Sequence, residues 1–138
     1  MTSHPVVLHT AVDAVDARGL AEFYRRLLGV GYRPGDEPPT DGSADDSDWL
    51  VLVDGEGRRV MAVQEVPSLE RPTWPSHTVP KQMHMDFTVP TTEELRRQRE
   101  RAEALGATLL LDRTDDEDEA LYVLADPEGH PFCLLVAP

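Results

Sequence analysis

Leu20-Ala21-Glu22-Phe23-Tyr24-Arg25-Arg26-Leu27-Leu28-Gly29 decides the fold, and the rest of the chain is read outward from it. Its apolar residues at 20, 23, 24, 27 and 28 recur at helical spacing along a single face. Gly29 then offers the left-handed conformation that ends a helix. Upstream, Asp16 has the short carboxylate that accepts free amides at a helix start. Before it, residues 6–13 are apolar and β-branched enough to predict a strand. Downstream come a short strand at 31–33 and an acidic loop holding Asp36, Glu37, Asp41, Asp45, Asp46 and Asp48. Strands at 49–53 and 60–66 follow, joined across Asp54-Gly55-Glu56-Gly57 as a β-hairpin.

The order strand, helix, three-stranded meander then repeats. Prolines at 67, 72, 75 and 80 remove amide donors and fix backbone angles, so residues 67–81 read as a connector without regular structure. A strand at 82–89 leads to Thr91 and Glu94, the Thr-x-x-Glu form of a helix start whose side chains satisfy each other's amides. The second helix ends at Leu105-Gly106; Leu95, Ala102 and Leu105 are its apolar anchors among many charges, so it belongs on the surface. Strands at 107–112 and 120–125 precede the turn Asp126-Pro127-Glu128-Gly129 and a last strand at 131–136. With His9 laid on His84, the helix ends coincide, and an Asp-x-x-Gly turn precedes each final strand. A unit of this size exposes a sheet face and gains stability by burying it with a second. The expectation is one α+β domain over residues 1–138: module one at about 5–66, the connector at 67–81 and module two at about 82–138.

Composition narrows the partners. A formal net charge of −13 repels phosphate backbones and anionic lipid, which argues against nucleic acid and membrane surfaces. The charge blocks, including the unbroken run from Asp115 to Glu119, read as solvated loops and lack the spacing of a calcium loop. No basic-then-apolar leader follows Met1, no apolar run is long enough to span a bilayer, and Cys133 is the only cysteine. A soluble, cytoplasmic protein without disulfides is expected, with any metal site left chiefly to His, Gln, Asp and Glu.

The run from His9 to Asp16 followed by the stretch 20–29 resembles the first half of the vicinal oxygen chelate superfamily, the glyoxalase, bleomycin-resistance and extradiol dioxygenase group. His84-Met85-Asp86-Phe87-Thr88-Val89, Ala104-Leu105-Gly106-Ala107 and Asp126-Pro127-Glu128-Gly129-His130-Pro131-Phe132-Cys133 are similar to its second half. The resemblance covers nearly the whole chain outside the acidic loop and the connector. It implies two βαβββ modules forming a curved mixed sheet around a cleft, helices on the outer face, and commonly a homodimer. It also implies, in members that bind metal, one ligand from the first strand and one from the last strand of each module. His9 and His84 match the first pair. For the second pair the chain offers Gln64, or Glu65 with a one-residue shift, and Cys133 where metal-binding relatives usually carry Glu. A thiolate suits Zn²⁺ or a softer ion, whereas Fe²⁺, Mn²⁺ or Mg²⁺ prefers carboxylate; Ni²⁺ is a further candidate.

Strand alternation sends Val7, His9 and Ala11 to one face and Leu8, Thr10 and Val12 to the other, and separates His84 and Asp86 from Met83, Met85 and Phe87. The apolar sets should pack beneath the helices, leaving both mid-strand histidines toward the cleft. Trp49, Trp74 and Tyr122 are the aromatic candidates for a ligand cavity, and Gln64, Gln82 and Asp86 the polar groups to orient a ligand. A histidine there also serves without metal, one ring nitrogen donating and the other accepting, and Cys133 also suits a packed strand as a small apolar residue. The leading reading is a small-molecule-binding protein that needs no complete ligand set. The alternative is a metal-dependent lyase, isomerase or dioxygenase using His9 and His84, in which a divalent ion stabilises developing charge on substrate oxygens. A third, an interaction module with a filled cleft, would expose an apolar patch on the sheet.

Overall fold

In a computed structural model, residues 3–138 are described; the start at Met1, on which the leader expectation bears, lies outside them. The chain forms two compact units, the first ending at Leu69 and the second beginning at Glu70. The boundary falls inside the proline-rich connector, and no helix or strand forms between residues 66 and 84. The architecture is α+β, two βαβββ modules, each with its own four-stranded mixed sheet.

In the first unit β1 (Ala11–Ala14), α1 (Ala17–Leu28), β2 (Gly31–Tyr32), β3 (Trp49–Val53) and β4 (Arg59–Glu65) form a sheet of order β1-β4-β3-β2. The Asp16 side chain accepts from the Gly19 amide at 2.9 Å, and Gly29 closes α1 with φ of 66°. Leu20, Phe23, Tyr24 and Leu27 are buried as the spacing predicts. Strand registers put Val12, Val63 and Leu50 on one face of the sheet, and α1 packs on β3 and β4.

The second unit repeats this with β5 (Met85–Val89), α2 (Thr92–Leu105), β6 (Thr108–Asp112), β7 (Leu121–Ala125) and β8 (Pro131–Val136), in the order β5-β8-β7-β6. Phe132, Leu124 and Leu95 form its buried core. The Arg99 guanidinium of α2 lies 5.0 Å over the Tyr122 ring. Tyr122 is in register with Leu134, which marks the face that carries the helix.

Four expectations change. The first strand of each module begins later than its sequence suggests, at Ala11 rather than residue 6 and at Met85 rather than residue 82. Each first strand is parallel to the last strand of its module, with Ala11 beside Ala62 and Met85 beside Phe132. In the second module that register sets His84 beside Pro131, which has no amide to donate, and Met83 beside the turn. In the first, Thr10 still accepts from the Ala62 amide at 3.0 Å, and the strand begins at the next residue although β4 continues back to Arg59. His9 and His84 therefore lie just before their strands, not within them, and Leu8 is 64% exposed instead of packed under α1. Third, the acidic loop is exposed over residues 37–48 as expected, but it is also anchored to the fold. Arg18 on α1 binds Asp45 at 2.6 Å and the Asp36 carbonyl at 2.7 Å, while the Asp36 carboxylate accepts from the Val51 amide at 2.9 Å. Fourth, only half of the capping arrangement is as expected: Thr91 accepts from the Glu94 amide at 3.2 Å, but the Glu94 carboxylate is held by Arg97 and Gln98. Among the described residues no helix is long and apolar enough to cross a membrane.

Candidate functional site

The helix-free face of the second sheet carries a pocket of about 240 Å³. Register explains its composition. Asp86 on β5 sits beside Cys133 on β8, and Cys133 beside Val123 on β7, so the three share the face opposite Phe132, Leu134 and Tyr122. His84, two residues before Asp86, emerges on the same side, its Nε2 3.3 Å from an Asp86 carboxylate oxygen. Leu121, Val123 and Pro131 supply an aliphatic floor. The connector adds Trp74 and Lys81, with the ammonium 5.3 Å over the indole ring. The loop between β6 and β7 adds Arg113, paired with Asp116 at 3.0 Å, and Glu119.

The structure thus brings together Trp74, His84, Asp86 and Cys133 from the sequence expectation. His9, Trp49 and Gln64 lie in the first unit. Trp49 and Gln64 are in register with each other, Gln64 is exposed, and the His9 ring lies 5.6 Å from the Trp49 ring. Arg59 lies 3.4 Å from His9 Nδ1; burial, then the Arg59 and Arg33 charges, pushes the imidazole pKa down and favours the neutral ring. Two candidates fall elsewhere: Tyr122 packs under α2 on the opposite face, and exposed Gln82 does not line the pocket. Lys81, Arg113 and Glu119 escape sequence reasoning because connectors and charge runs read as solvated. The one signal for Val123 is the Asp126–Gly129 turn, which sets Ala125 opposite Pro131 and hence Val123 opposite Cys133.

Cys133 is half-buried. Burial first, then the neighbouring Asp86 and Glu119 carboxylates, pushes its thiol up to about 11. At pH 8 its alkylation by iodoacetamide is expected to run about 100-fold below that of an ordinary cysteine, because the thiolate is the nucleophile. The rate should climb about tenfold per pH unit toward pH 11, and Asp86→Asn should accelerate it severalfold at pH 8. Mass-spectrometric time courses read this, and a rate insensitive to both pH and Asp86 would contradict the stated cause.

The residues present also fit a metal ion. One ligand atom each of His84, Asp86 and Cys133 lies within 4.8 Å of the other two.

The comparisons agree with this architecture. The sequence model of the Glyoxalase-like domain family matches residues 9–135, and the chain belongs to that family. A glyoxalase/bleomycin resistance protein/dioxygenase family enzyme from Burkholderia phytofirmans is 18% identical, with TM-score 0.68 over 95% of this chain and 98% of its own. The fosfomycin resistance protein FosX from Listeria monocytogenes is 18% identical, with TM-score 0.67 over 100% of this chain and 96% of its own. A variant of that FosX, complexed with Mn(II) and 1S,2S-dihydroxypropylphosphonic acid, is 19% identical, with TM-score 0.68 over 100% and 95%. Family and fold together place the chain in the vicinal oxygen chelate superfamily. No curated protein matches the chain.

Proposed function

We propose that this glyoxalase-like domain binds a small molecule on the helix-free face of its second sheet. The observation that carries the reading is the pocket itself: an aliphatic floor, one indole, and charged groups of both signs converging from two strands, the connector and a loop. A volume of about 240 Å³ lies below the roughly 300–1,000 Å³ of pockets for drug-sized ligands, so the ligand is small. Lys81 and Arg113 suit an anionic group, Asp86 and Glu119 a donor, and His84 either. The FosX neighbour with a small phosphonic acid is a precedent for a ligand of that scale on this fold. The homodimer and cytoplasmic residence expected from the sequence are carried forward with this reading. Val6 and Val7, 89% and 84% exposed ahead of β1, are an apolar stretch that a second copy would cover.

The test is a thermal-shift and calorimetric screen of small carboxylic acids, amino acids and phosphonates, fosfomycin among them. A binder should raise Tm by several degrees, and Trp74→Ala and Lys81→Ala should each weaken it about tenfold. A binder indifferent to both substitutions would place the ligand elsewhere.

A second reading, the metal-dependent lyase, isomerase or dioxygenase, is favoured by the cluster of His84, Asp86 and Cys133. A divalent ion there would polarise an oxygen of the bound molecule. Leu121, Val123 and Pro131 would keep its surroundings apolar, and Lys81 and Arg113 would orient the ligand's anionic end.

A further inference from the structure

We infer that His84, Asp86 and Cys133 form a self-contained thiophilic metal site, selective for Zn²⁺-like ions and independent of His9. The inference deepens the pocket reading and rests on it, since the same wall of the pocket would hold both the ion and part of the ligand.

Strand geometry fixes the set. His84 and Asp86 are two residues apart and so project to one side of the chain, and Asp86 is the register partner of Cys133 across the parallel β5–β8 pair. The three donors thus come from two adjacent strand ends of a single module, and nothing from the first unit is needed to assemble them. The donor chemistry is one imidazole nitrogen, one carboxylate oxygen and one sulfur, within 4.8 Å of one another. Bonds of about 2.0–2.3 Å at tetrahedral angles put ligand atoms roughly 3.3–3.8 Å apart, so closure asks for about 1 Å of side-chain movement. The His84 and Asp86 side chains are 40% and 59% exposed and free to make it. Three protein ligands facing a pocket leave the fourth tetrahedral position open, the arrangement of a zinc site that exchanges water for a ligand.

Sulfur in the set decides between ions. Thiolate and imidazole favour Zn²⁺ and its spectroscopic substitute Co²⁺, whereas Mn²⁺ and Mg²⁺ favour shells of oxygen. The charge environment accommodates a cation. Arg113 is already paired with Asp116, Lys81 lies over Trp74, and Glu119 adds a further carboxylate to the lining. On binding, the S–H bond of Cys133 is replaced by an S–metal bond, and one proton passes to solvent.

The experiment titrates the full chain, stripped by chelator and exchanged into clean buffer, with Zn²⁺, Co²⁺ or Mn²⁺ and no organic ligand. The expected result is one Zn²⁺ per chain, Mn²⁺ at least 100-fold weaker, and near-ultraviolet thiolate-to-cobalt charge-transfer absorption in the Co²⁺ form. Cys133→Ser should abolish that absorption and weaken Zn²⁺ at least tenfold. Asp86→Asn, at an exposed position that leaves the fold intact, should also weaken Zn²⁺ at least tenfold, while His9→Ala stays within about threefold of the parent. Substoichiometric binding, cobalt absorption surviving in Cys133→Ser, or a loss in His9→Ala as large as in Asp86→Asn would overturn the inference. Because only metal is titrated, such a failure is separable from failure of the pocket reading, which the Trp74 and Lys81 variants test.

Discussion

Phe132→Ala is expected to lower the stability of the fold by about 3–5 kcal/mol, the cost of emptying a fully buried aromatic position. Phe132 has no exposed surface and sits in the middle strand pairings of the second sheet, beside Met85 on β5 and Leu124 on β7. Its ring centroid lies 5.7 Å from that of Phe87, with the planes tilted by 51°. Truncation removes the transfer free energy of the ring and leaves a cavity between sheet and helix that strands held by ladders on both sides cannot close. The loss should also loosen the pocket, because Cys133 follows Phe132 on the same strand and projects to the opposite face. Urea unfolding followed by circular dichroism measures the difference. A loss below about 1 kcal/mol would mean that the site repacks, and that the core is less tightly determined than its complete burial indicates.

The features legible in the sequence are those whose causes are local. Asp16 and Gly29 bracket α1 as read, and Thr91 and Gly106 bracket α2, because a cap is set by residues within one turn of the helix. The strand Pro131–Val136 begins where the turn chemistry of Asp126–Gly129 places it. The beginnings of β1 and β5 were not legible, since where a strand starts depends on its pairing with a distant partner. The partners of residues 6–9 and 82–84 lie about fifty residues away, around hairpin turns whose register no local pattern states. The candidate site divides in the same way. That His84 and Asp86 share a side follows from alternation alone, whereas the meeting of Asp86 with Cys133 depends on a parallel register between strands 47 positions apart. Lys81, Arg113 and Glu119 reach the pocket from a connector and a charged loop, segments whose composition favours solvent and is silent about where they fold back.

The paired turns give the second large prediction, and the repeat supplies its own control. In the second module the Asp126 carboxylate accepts from the Glu128 amide at 2.9 Å and the His130 amide at 3.0 Å. In the first module Asp54 does the same for Glu56 and Arg58, both at 2.9 Å. The bonds match, but the surroundings do not: Asp126 is 2% exposed, while the Asp54 bonds are open to solvent. When the acceptor is removed, water can satisfy the amides at the first turn but reaches those at the second only with rearrangement. Asp126→Ala is therefore expected to cost about 2–3 kcal/mol, and Asp54→Ala about 0.5–1 kcal/mol. The Asp126 turn also sets Val123 opposite Cys133, so its loss should disturb the pocket, and ligand or metal affinity should fall with stability in that variant alone. Denaturant titrations of the two variants side by side decide the matter. Equal losses would show that hydrogen-bond count governs these turns and that burial does not.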